Sequence, residues 1–64
     1  MNVGVLGLGL IGGSLARAYT KAGHIVYAYD QDESMLQFTQ LSNVVCGPLD
    51  ENTIPSCDLI LLAI

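Results

Sequence analysis

Between Val3 and Gly13 the chain reads VGVLGLGLIGG and holds no side chain able to act as acid, base or nucleophile. It holds glycine instead, five of them from Gly4 to Gly13, of which Gly7, Gly9 and Gly12 satisfy G-x-G-x-x-G. The chemistry open to such a segment is that of its backbone. N–H groups left unpaired at a helix start, backed by the positive end of the helix dipole, attract anionic oxygens. In such a turn Gly7 makes the sharp bend, Gly9 lets the main chain approach a diphosphate, and Gly12 lets the helix pack closely on the sheet. The amides of Leu10, Ile11 and Gly12 are then the donors, with Leu8 inside the turn. Asp30 stands 18 residues after Gly12. A carboxylate there accepts hydrogen bonds from the hydroxyls of a ribose and repels a phosphate on its 2′ position. Gln31 follows, and no Arg or Lys occurs in the next ten residues to neutralise such a phosphate. The candidate binding set is therefore Gly7, Leu8, Gly9, Leu10, Ile11, Gly12, Asp30 and Gln31, and the ligand it fits is NAD in preference to NADP.

Taken singly, the glycines need only make a turn and Asp30 need only end a strand in water. Their joint context argues otherwise, because a strand precedes the motif, a helix follows it, and the acid closes the next strand. A P-loop is excluded, since no Gly-Lys-Ser/Thr follows. Other reactive residues read as structural. His24 sits in a turn at the end of the sheet away from the ligand. Cys46 and Cys57 lack a second ligand pair for zinc and read as small apolar packing groups. Tyr19, Tyr27 and Tyr29 read as packing at the sheet, with flanking of an adenine as the alternative for Tyr29. Ser14 reads as capping or solvated in the first turn of the helix, with phosphate contact as the alternative, and Asp58 opens the last strand. No catalytic residue and no metal ligand is assigned.

The elements that must position these groups are legible in the spacing. Val3 to Leu6 is a short strand, apolar on both faces. From Leu10 the period changes: Ile11, Leu15, Ala18 and Ala22 share one helical face, predicted to be buried, while Leu10, Ser14, Arg17 and Lys21 share a more exposed one. Gly23 terminates this helix, with Lys21 in the last turn. IVYAY, residues 25–29, is a second strand. Asp32 is placed to cap a helix from about Glu33 to Gln40 that carries Met35, Leu36 and Phe38. Asn43 to Cys46 reads as a brief third strand broken by Gly47-Pro48, residues 48–57 as a loop with one turn of helix, and DLILLAI as a central buried strand. Such alternation predicts right-handed crossovers and an α/β, Rossmann-type doubly wound parallel sheet, of which this is the N-terminal half.

Composition sets the outer limits. With 64 residues the chain forms at most one small domain or a piece of a larger one, since a chain of this size buries only roughly 60% of its unfolded surface. A 52% hydrophobic and 12% charged composition excludes disorder. Six acids against Arg17 and Lys21 give a net charge of −4, which would repel a nucleic-acid backbone. No signal peptide or disulfide framework is visible, so a reducing, cytoplasmic setting is expected. No apolar run is long enough for a membrane span.

GLGLIGGSLA, residues 7–16, strongly resembles the opening of prephenate dehydrogenases and their arogenate-using relatives, enzymes of tyrosine biosynthesis. AGHIVYAYD at 22–30 and CDLILLAI at 57–64 extend the resemblance, the latter being similar to the family's fourth strand. The glycine stretch with Gly13-Ser14 is the more specific part; the other two segments are common to many β-hydroxyacid-type dehydrogenases, and residues 31–56 are the least distinctive. The resemblance implies that NAD takes a hydride from the hydroxyl-bearing ring carbon of prephenate while carbon dioxide leaves, giving 4-hydroxyphenylpyruvate. It also implies that Gly7, Gly9, Gly12 and Asp30 are cofactor positions. The family's catalytic histidine and substrate-binding arginine lie beyond the fourth strand and in a helical second domain that supplies a dimer interface. This chain departs from the pattern by stopping at Ile64, and neither His24 nor Arg17 is placed to substitute for them. The expectation is thus the NAD-binding portion of a homodimeric enzyme acting on prephenate or arogenate, inactive by itself. The alternatives are another NAD-dependent dehydrogenase of the 3-hydroxyisobutyrate type and a non-catalytic NAD(H)-binding regulatory module.

Overall fold

Val3 and Val5 face one side of the first strand and Gly4 the other, so apolar material must cover both sides, and the chain folds back to supply it. A computed structural model describes all residues from Met1 to Ile64. Its elements are β1 (Asn2–Leu6), α1 (Leu10–Lys21), β2 (Ile25–Tyr29), α2 (Glu33–Leu41), β3 (Gly47–Pro48), a 3-10 turn at Ile54–Ser56 and β4 (Leu59–Leu62). All strand pairs are parallel, in the order β3-β2-β1-β4. This is the α/β, Rossmann-like arrangement expected from the alternation. Val3 pairs with Val26 and Leu59, and Val5 with Ala28 and Leu61. The four Val and Ala side chains form a buried layer with Leu8, Ala16, Val44 and Val45, against which Tyr19, Leu36, Leu59 and Leu61 pack.

The predicted limits of β1, α1, β2 and α2 hold closely, and their local chemistry explains why. Gly23, with φ +93°, ends α1 in the left-handed region just after Lys21. The Asp32 carboxylate caps α2, accepting from the amides of Ser34 at 2.9 Å and Met35 at 3.3 Å.

Four expectations are corrected. The buried face of α1 is Gly12, Ala16 and the partly covered Tyr19, while Ile11 is 72% exposed and Ala18 and Ala22 lie in solvent. At Gly12 the helix approaches the end of β1 so closely that no side chain fits, and Leu15 of the expected face is half-buried. Asn43 to Cys46 is not a strand. Asn43 takes a left-handed conformation after α2, and the amides of Val44 and Val45 both turn back to the Thr39 carbonyl. Pairing with β2 begins at Cys46, whose amide donates to the Val26 carbonyl, and β3 is Gly47–Pro48. β4 lies at the edge of this sheet, with Ile60 and Leu62 exposed. Cys46 is exposed and not a packing group; Cys57 is half-buried, and burial with the adjacent Asp58 carboxylate pushes its thiol up.

Candidate functional site

The parallel strands all end at one side of the molecule, and the β1–α1 turn lies there. Gly7 makes that turn at φ +100°, where a Cβ would come 2.8 Å from the Ala63 carbonyl oxygen. A Cβ on Gly12 would overlap the carbonyl oxygen of Gly7, so the first turn of α1 rests directly on the end of β1. The turn is then tied to β2: the Gly7 amide donates to the Tyr29 carbonyl at 2.8 Å and the Leu8 amide to Asp30 Oδ2 at 2.7 Å. The Leu8 side chain is buried in the core, so its contribution is this internal bond and the fixing of the turn.

Beyond Leu8 the backbone is free. The first helical bond runs from the Gly13 amide to the Gly9 carbonyl at 2.7 Å, and the amides of Gly9, Leu10, Ile11 and Gly12 have no acceptor in the chain. No side chain caps this helix and no acid occupies its first turn, so nothing internal competes with an incoming anion. Around Gly9 an added Cβ would meet no atom within 4 Å, leaving open space on its approach side.

Asp30 adjoins this turn. Its Oδ1 accepts from the Asp32 amide at 2.8 Å and its Oδ2 from Leu8, and these two bonds hold its carboxyl below the usual carboxylate range, against the opposing effect of burial. A carboxylate has about four lone-pair sites, so two remain for hydroxyl donors. Gly7, Gly9, Tyr29, Asp30 and Gln31 line one open cleft of about 480 Å³ with Leu6, Ala63 and Ile64. Leu10 and Ile11 are exposed and do not line the cleft, and their amides have no acceptor in the chain. Tyr29, read from the sequence as a packing residue, is exposed and lines the cleft.

The comparisons with known proteins agree with this geometry. Residues 2–64 match the family model described as the NAD binding domain of 6-phosphogluconate dehydrogenase. The chain belongs to that family of NAD-binding domains. No curated protein and no solved structure matches it. The cofactor is accordingly NAD, and the chain is a dehydrogenase-type NAD-binding domain. The residues fit the group by shape: a cradle that a Cβ at Gly12 would destroy, four open amides beside it, and a carboxylate with lone pairs to offer.

Other reactive residues lie elsewhere. His24 is at the opposite end of the sheet, where its Nδ1 lies 3.0 Å from the amino group of Met1. Asp58 leads into β4, and its Oδ2 accepts from the Asn2 amide at 2.8 Å. Ser14 and Arg17 are exposed on α1 and face a different groove. No three His, Cys, Asp or Glu side chains converge as a metal site, and no helix is long and apolar enough to cross a membrane. Sequence reasoning missed Ala63 and Ile64 as cleft residues; the signal was the pairing of β4 with β1, which sets the end of β4 beside Gly7.

Proposed function

We propose that this chain is the cofactor-binding part of an NAD-dependent dehydrogenase of the hydroxyacid type, with a small hydroxyacid of the 3-hydroxyisobutyrate class as substrate. The family match favours this reading, and the observation that carries it is a run of four acceptor-free amides that starts at Gly9, in the same cleft as Asp30. When bound, NAD supplies the hydride acceptor for oxidation of a hydroxyl-bearing carbon. The chain's own part is to hold that cofactor. The amides of Gly9 to Gly12 take the diphosphate, the open side of Gly9 admits it, and Asp30 takes the adenosine ribose. Because Asp30 is held ionised, it disfavours a 2′-phosphate and so favours NAD over NADP.

A second reading, prephenate or arogenate as substrate, is favoured by Gly13-Ser14 within GLGLIGGSLA. A Cβ on Gly13 would meet only the Leu8 carbonyl oxygen, at an ordinary 3.5 Å. The packing does not require glycine there, so the turn by itself does not account for that residue. The test is a substrate panel on the intact protein, following NAD reduction with 3-hydroxyisobutyrate, prephenate and arogenate. Turnover of the first alone supports the main reading; turnover of either of the others with none of the first replaces it. NAD binding without turnover of any hydroxyacid would point to a regulatory module.

A further inference from the structure

A second groove, of about 420 Å³, runs between α1 and α2 and meets the cofactor cleft only at Gly9. Its floor includes the buried Thr39 and Val44. The Thr39 hydroxyl is committed to the carbonyls of Leu36 at 2.8 Å and Met35 at 3.2 Å, so the floor presents little polar surface. Met35 and Phe38 form the α2 wall, with Phe38 57% exposed; Leu10 and Arg17 stand on the α1 wall. Arg17 is the one ionisable residue in the lining. In a chain of six acids and two basic residues it makes no ion pair and no hydrogen bond within the protein. An uncompensated guanidinium beside exposed aromatic and thioether surface is a complementary half for an amphiphilic anion, because its planar fork of donors matches a carboxylate. The groove has the size of a small-molecule site.

We propose that this groove binds a small molecule with an aromatic or branched apolar body and one carboxylate, the carboxylate on Arg17 and the body against Phe38, Met35 and Leu10. The site borders the cofactor cleft at Gly9 and does not rest on the reading of the cleft's substrate. The test uses the intact protein with 3-phenylpropionate as probe, by calorimetry and by amide chemical-shift mapping. Saturable binding is expected, with shifts at Ser14, Arg17, Phe38 and Thr39, and it should persist in saturating NAD. Arg17→Ala, and in the wild type the uncharged probe 3-phenylpropionamide, should each weaken binding by about tenfold. Phe38→Ala, on the other wall, should weaken it as well. Absence of saturable binding up to about 10 mM, a concentration that would detect even millimolar affinity, overturns the proposal. So does unchanged affinity in Arg17→Ala, or displacement of the probe by NAD.

Discussion

The two ends of the parallel sheet treat their polar groups in opposite ways. Where the strands begin, the donors find partners. The Asn2 amide bonds Asp58 Oδ2 at 2.8 Å, the Asn2 side chain bonds the Ser56 carbonyl at 3.2 Å, the Asp58 amide returns a bond to the Asn2 carbonyl at 2.8 Å, and the Ile25 amide reaches the Met1 carbonyl at 3.1 Å. Where the strands end, four successive amides from Gly9 to Gly12 have no acceptor, and the one carboxylate beside them is held by two other amides with lone pairs to spare. The cause is topological. Parallel strands joined by helices bring each helix N-terminus to the same side, so unpaired donors collect at one end while the other is free to close on itself. The closed end satisfies its polar groups internally, and the open end leaves donors free.

The largest effect should break the open end outright. In Gly12→Ala the added methyl overlaps the Gly7 carbonyl, so α1 must move off β1. We expect a loss of about 1–3 kcal/mol or more of stability, as for overpacked cores, together with loss of detectable NAD binding, read by thermal unfolding and calorimetric titration. Normal folding with normal NAD affinity would show that the helix does not rest on the turn.

Gly9→Ala separates binding from folding at the same end. Its methyl meets no protein atom, so the melting temperature should hold while NAD affinity falls by about tenfold or more, as a group placed where the diphosphate must approach would require. Equal affinity would place the diphosphate elsewhere.

Asp30→Asn should reduce NAD affinity and shrink its margin over NADP, by about tenfold in the ratio of the two affinities. It also has a signature in pH. Since the folded protein holds this carboxyl below its ordinary range, the folded state binds the proton more weakly than the unfolded chain does. Its stabilisation is complete above the ordinary carboxylate pKa of about 4 and fades as the pH falls through the lower folded value. Denaturant midpoints of wild type and Asp30→Asn should therefore differ at neutral pH and converge in acid; a gap that persists unchanged in acid would rule out the linkage.

The smallest effect tests the closed end. Asp58→Ala removes the acceptor for the Asn2 amide and should cost about 1 kcal/mol of stability, measured by denaturant unfolding, with NAD affinity unaltered. A clear fall in affinity would mean that the two ends are not independent.

What could be read from the sequence divides along the same physical line. The β1–α1 turn, the limits of β2, the Asp32 cap and the nearness of Asp30 to the glycines follow from short-range rules, and all appear in the fold. The buried face of α1 was legible only in part: Leu15 is half-buried, but Ile11, Ala18 and Ala22 are exposed, and Gly12, resting on the Gly7 carbonyl, and Ala16 are the buried residues. Val44 and Val45 carry strong strand propensity, yet they serve the exit from α2 and bury their side chains in the core. Of the candidate site, Gly7, Gly9, Asp30 and Gln31 come together at one cleft as the spacing implied, while Gly12 is buried against the Gly7 carbonyl. The Leu8–Asp30 bond, the placement of Ala63 and Ile64, and the Asn2–Asp58 bond needed the register of strands far apart in sequence.

The edges of the sheet carry a further consequence. On one side stands β3, two residues long and containing Pro48, which has no amide hydrogen to offer a neighbour. On the other stands β4, four residues of uninterrupted Leu and Ile without a proline or a charge. The sheet is thus directional in how it can grow. The edge that favours a further strand is β4, whose end borders the cofactor cleft through Ala63 and Ile64.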